Sequence, residues 1–108
     1  MKSKSYEAAA AKFTEAFHLD PNQAMFANNV GFAWYRAGKL QNAVLWFQQA
    51  ISLDPKRAIA YMNLGDAYVK LNRNAEAREA YGKYLELAPD SKTAPDVKKK
   101  LDALPPST

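Results

Sequence analysis

The chain has 108 residues, 15 basic and 11 acidic, for a formal net charge of +4, and it contains no cysteine. That length makes a single domain, and the absence of thiols excludes disulfides, cysteine-built metal sites and thiol chemistry. The longest apolar runs fall far short of the ~20 residues a membrane span needs, and Met1-Lys2-Ser3-Lys4 is not followed by the apolar core of a signal peptide, which leaves the compartment open with the cytoplasm favoured.

From Tyr6 the apolar and small residues fall at Tyr6, Ala9, Ala10, Phe13, Ala16 and Phe17. This is the i, i+3, i+4, i+7 spacing of one helix face, and it predicts a helix over 5–21 that Pro21 stops, because proline has no amide hydrogen to continue the ladder. A second stripe follows at Ala27, Val30, Gly31, Trp34 and Ala37 and ends at Gly38, the residue that best tolerates a left-handed turn. Leu40, Ala43, Val44, Phe47, Ala50 and Ile51 then repeat the first stripe 34 residues on, and Asp54-Pro55 stops it as Asp20-Pro21 did. The same order comes again: Tyr61, Leu64, Gly65, Tyr68 and Leu71, a turn at Asn72, then Ala77, Arg78, Tyr81, Tyr84 and Leu85 before Pro89. Pro21, Pro55 and Pro89 stand 34 residues apart. A fixed period of this length predicts a solenoid of stacked helix pairs, with full repeats at 24–57 and 58–91 after the second helix of an incomplete repeat. Glycine inside a helix costs ~1 kcal/mol against alanine, so Gly31 and Gly65 predict close packing of each first helix on its partner.

Beyond Pro89 the period fails, since Lys98 and Lys99 stand where Leu64 and Gly65 would recur. Ala94-Pro95-Asp96 opens a short helix with proline in its first turn and an acid near its positive end, and Val97, Leu101 and Leu104 give it one narrow apolar stripe. The expectation is a capping helix within 92–104 with its lysines outward, then a tail at 105–108. Much of the basic excess lies here, in Lys92, Lys98, Lys99 and Lys100. It reads as the solvated face of a terminal helix, and nucleic acid is an unlikely partner.

The order of glycine, aromatic, alanine, aromatic and proline at a period of 34 resembles the tetratricopeptide repeat over nearly the whole chain. Ala27 stands where that family usually has a large aromatic, and Tyr84 where it has alanine. The resemblance implies an all-α, right-handed superhelical solenoid of antiparallel helix pairs: two full repeats, a leading half repeat and a C-terminal capping helix.

Nothing in the sequence reads as chemistry. His18 is the only histidine and has no cysteine or second histidine to join it, the carboxylates follow helical surface spacing, and no phosphate-cradling glycine loop or serine-centred nucleophile motif is present. No enzyme, cofactor or metal is expected.

In the resembled family the first helices line a concave groove that takes a peptide or helix of a partner protein. Here the residues off the packing stripe are Met25, Asn28, Asn29, Phe32, Tyr35 and Arg36 on one first helix, and Ile59, Met62, Asn63, Asp66, Val69 and Lys70 on the other. Asparagine can bond an extended backbone through both carbonyl and amide, and methionine adapts to different shapes. Some members grip the C-terminal carboxylates of heat-shock chaperones with asparagines plus a ring of lysine and arginine. Asn29 and Asn63 match the asparagine part, but Ile59 stands where a lysine is expected, so useful binding to a peptide ending in Glu-Glu-Val-Asp is not implied. The alternative is an oligomerisation module, weakly self-associating through the Ala9, Phe13 and Phe17 side of residues 5–19.

Overall fold

The structure, a computed structural model, describes residues 2–105, with side chains from Lys4 onward; residues 106–108 of the expected tail lie outside it. Six helices and no strand occur among the described residues: α1 (Lys2–Leu19), α2 (Ala24–Arg36), α3 (Leu40–Leu53), α4 (Ala58–Lys70), α5 (Asn74–Leu87) and α6 (Ala94–Ala103). The bounds of α4 and α5 are those of α2 and α3 moved by 34 residues. Each helix packs on its neighbours in the chain, and α2 also touches α4. This is an all-α helical repeat solenoid, and none of its helices is long and apolar enough to cross a membrane.

The turns explain the repeat. Gly38 (φ 83°) and Asn72 (φ 61°) both take the left-handed conformation, one residue apart from α2 and α4. The next amide then reaches back, Lys39 N–H to the Trp34 carbonyl and Arg73 N–H to the Tyr68 carbonyl, each at 2.9 Å. These bonds reverse the chain within a few residues. Asp54 tightens the stop after α3 by accepting the Lys56 N–H at 3.1 Å.

The glycines let the helix pairs close. A Cβ on Gly31 would stand 2.6 Å from the Phe47 ring, and one on Gly65 would stand 2.5 Å from the Tyr81 ring. Phe47 and Tyr81 are in turn almost wholly buried. The larger core runs from Ala43, Val44 and Phe47 through Leu64, Tyr68, Tyr81 and Tyr84 to Ala94 and Val97 of α6. A smaller one joins Phe17, Ala27, Ala50 and Ala60.

Two expectations need correction. Phe17 does not lie uncovered: it is buried, with its ring edge-on to Trp46 at 5.2 Å between centroids. Trp46 fills the gap between α1 and α3, so Phe13 is the phenyl of that side left in part to solvent. The lysines of α6 do not all point outward either, for Lys100 reaches back to Asp66 of α4 at 3.1 Å.

Candidate functional site

With their packing stripes turned to α3 and α5, α2 and α4 leave their other faces side by side. On α2, Phe32 (43% exposed) stacks on Tyr35, with centroids 6.2 Å apart and planes 17° from parallel. The spacing of three residues puts both rings on one side of the helix. Arg36 lies 5.8 Å from the Phe32 ring and 4.8 Å from that of Tyr6, and its guanidinium donates to the Tyr6 hydroxyl at 2.7 Å. Thus α1 also contributes a side chain, Tyr6, which its helical spacing marks only for packing. Lys70 of α4 places its ammonium 5.8 Å from the Tyr35 ring.

Asp66 is not a free carboxylate of this face. It accepts hydrogen bonds from the Tyr81 hydroxyl at 2.6 Å and from Lys100 at 3.1 Å. Burial, then the hydrogen bond to Asp66 and its negative charge, push the Tyr81 phenol well above the ordinary tyrosine range. The Tyr35 phenol is also raised, by burial and then by the Asp66 charge, with Arg36 opposing. Phe32, Asp66 and Lys100 are 34 residues apart in succession, so α6 continues the row that α2 and α4 begin. A cavity of about 560 Å³ lies where they meet, lined by Tyr35, Val69, Lys70, Lys100 and Leu104 among others. Lys100 and Leu104 were missed because the apolar stripe of α6 departs from the repeat pattern; the 34-residue step from Asp66 to Lys100 was the available signal.

Asn28 and Asn63 also differ from expectation. Both are buried, each 7% exposed, and the Asn63 side-chain amide donates to the Asn28 carbonyl oxygen at 3.1 Å. They stand at the seam where α2 touches α4, and a buried amide must find a partner. Each finds the other, which ties the repeats together. Asn29 stays half-buried without that bond, Met62 and Val69 are half-buried against the core, and Met25, Ile59, Arg36 and Lys70 are exposed. Phe32, Tyr35, Arg36 and Lys70 are therefore brought together, with Asp66 beside them; Met25 and Ile59 open the two helices.

His18 is exposed next to Phe17, and among the described residues no group of three or more histidine or acidic side chains could hold a metal ion.

A model of the TPR repeat matches residues 33–72, and a tetratricopeptide repeat model matches residues 58–91. Among solved structures, the Arabidopsis OM64 TPR domain is 30% identical, with 92% of this chain and 82% of that one covered at a TM-score of 0.83. The chain belongs to the tetratricopeptide repeat family. The second TPR domain of human RPAP3, solved in complex with the HSP70 peptide SGPTIEEVD, is 28% identical over 90% of this chain and 81% of that one, TM-score 0.81. The TPR2B domain of yeast Sti1 shares the fold at 19% identity, with 92% and 82% covered and a TM-score of 0.87. No curated protein matches the chain. In this tetratricopeptide repeat domain the departure at Tyr84 is explained by α6: the ring is buried in the cluster that holds Ala94 and Val97, and its hydroxyl shares a 2.7 Å hydrogen bond with Ser91 just before α6.

Proposed function

We propose that the chain is a protein-interaction scaffold that takes a peptide or a helix of a partner along the groove of α2 and α4. The observation that carries the reading is Phe32, a large apolar ring exposed on the groove side, stacked on Tyr35 and backed by Arg36. A pre-ordered aromatic of this kind is the usual anchor of an interface. Met25, Ile59, Met62 and Val69 extend the apolar surface, Asn29 would bond a ligand backbone, and Arg36 and Lys70 supply charge beside it. That a similar domain of human RPAP3 is solved with a peptide supports this class of ligand.

A tail ending in Glu-Glu-Val-Asp is a poor candidate. Ile59 offers no cation, and the Asn63 amide is already engaged by Asn28. The test is selection of binding peptides from a random library, followed by anisotropy titrations. Phe32→Ala and Tyr35→Ala should weaken the selected peptide by about tenfold or more, since an aromatic anchor is worth ~2 kcal/mol. His18→Ala on α1 should leave it unchanged. Full affinity in both aromatic variants would reject the groove as the site.

A further inference from the structure

The two repeats share a backbone but not an outer surface. In the first, Trp46 of α3 packs edge-on against Phe17 of α1. Thirty-four residues later Ala80 takes the place of Trp46 and Ile51 that of Phe17. The lost bulk leaves an open cleft of about 650 Å³ between α3 and α5, floored by Tyr61, Leu64 and Tyr68 of α4.

Gly82, on the α5 wall, points the same way. Gly31 and Gly65 are required by the rings against them, but a Cβ on Gly82 would meet nothing within 4 Å. A helix-interior glycine is disfavoured against alanine, and here packing gives no compensation. Its effect is to keep the wall low where the first repeat has Gln48.

The charge changes too. Where α3 has Asn42, Leu45 and Ser52, α5 has Glu76, Glu79 and Glu86, and these three carboxylates line the cleft with Lys83 as the one cation of its lining among the described residues. At the Tyr68 end Arg73 lies 5.8 Å from the ring and 3.3 Å from Glu76, a guanidinium held by a tyrosine face and a carboxylate. Tyr61, Glu79 and Glu86 bring a tyrosine and carboxylates into the cleft again, with no guanidinium in its lining among the described residues. Lys83 meets Glu86 only at 3.7 Å in an exposed pair, and Glu79 has no ion pair among the described residues.

We propose that this cleft docks a basic segment of a partner protein, an arginine lying over Tyr61 with its head among Glu79 and Glu86. Charge complementarity selects the occupant: the chain is basic as a whole, yet this apolar-floored cleft is rimmed by carboxylates, which repel acidic segments and attract cationic ones. The site is separate from the groove of α2 and α4.

The probes are fluorescein-labelled hexa-arginine and hexa-citrulline, its uncharged counterpart, titrated into the whole chain by anisotropy and by amide NMR. Hexa-arginine, and not hexa-citrulline, is expected to bind and to shift the amides of Tyr61, Ala80 and Gly82. Glu79→Gln should weaken it about tenfold. Ala80→Trp, which restores the filling of the first repeat without changing charge, should do the same, while Phe32→Ala in the other groove leaves it unchanged. Gly82→Gln, which copies Gln48, is a second filling variant in case Ala80→Trp disturbs α5. No binding at millimolar protein, or shifts confined to other surfaces, would overturn the proposal. So would binding that Glu79→Gln weakens but both filling variants retain, because that marks diffuse attraction of charge.

Discussion

Three glycines lie inside helices of this chain, and alanine at each should have a different outcome. The propensity gain is common to all, ~1 kcal/mol in favour of alanine. At Gly65 the new Cβ would stand 2.5 Å from one Tyr81 ring carbon and 2.6 Å from the next. The ring cannot withdraw easily, because it is 1% exposed and its hydroxyl is held by Asp66 at 2.6 Å. Overpacking of this kind costs ~1–3 kcal/mol, and displacing the ring loses a hydrogen bond to a charged group worth ~1.5–3 kcal/mol more. Gly65→Ala should therefore be destabilised by about 1.5–5 kcal/mol net of the gain. Gly31→Ala meets the Phe47 ring at 2.6 Å, but phenylalanine has no hydroxyl tether, so the loss should be smaller. Gly82→Ala meets nothing and should gain ~0.5–1 kcal/mol. In thermal unfolding followed by circular dichroism, each kcal/mol corresponds to about 4–8 °C for a domain near this size. The order of midpoints should be Gly82→Ala above wild type, then Gly31→Ala, then Gly65→Ala. Equal midpoints for Gly65→Ala and Gly82→Ala would refute the argument that ring contact, and not helix propensity, decides which residue these positions accept.

Asn63→Ala should cost ~1–3 kcal/mol by leaving the Asn28 amide buried and unpaired, and the double variant with Asn28→Ala should cost less than the two singles added; strict additivity in urea unfolding would count against the tie. The raised Tyr81 phenol stabilises the folded state in its protonated form, so its contribution is complete below the unfolded value of ~10 and is lost as pH rises toward the higher folded value. Wild type should lose midpoint faster than Tyr81→Phe above pH ~10, and parallel curves would contradict this. A chelator should leave the thermal midpoint unchanged; a clear drop would reveal a structural metal.

The helix pairs were legible because two physical demands recur at a fixed interval: a helix face must be buried, and the chain must reverse. Gly38 and Asn72 mark one reversal each, Asp54-Pro55 the stop between them, and Gly31 and Gly65 the close approaches. The groove was less legible. Apolar spacing sorts residues into packed and unpacked within one helix, so it does not reveal that Asn28 and Asn63, unpacked in that sense, meet at a seam between helices. It likewise gave Tyr6 to packing and Asp66 to the free surface, although Arg36 bonds the first, and Tyr81 and Lys100 hold the second. The exposure of Phe32 was legible because an aromatic off the stripe is not drawn into the core of its own helix pair.

The seam also shows how α6 packs differently from the first helices before it. Asn63 meets Asn28 of the preceding first helix, and one repeat later the corresponding positions are Val97 and Met62. Val97 is fully buried, and Met62 packs against the cluster that contains it. A seam of two amides is satisfied and a seam of two apolar side chains is satisfied, but a mixed one would bury an unpaired amide at a cost of ~1–3 kcal/mol. The two positions must therefore change together, as they do here. With the seam made apolar, α6 needs polar fastening elsewhere, and among the described residues it has Tyr84 to Ser91 before it, Lys100 to Asp66 along it, and Arg78 to the Pro105 carbonyl after it. One of these, the Asp66 pair, lies in the groove wall, so the helix that covers the end of the core also fixes the shape of the surface beside Tyr35 and Lys70.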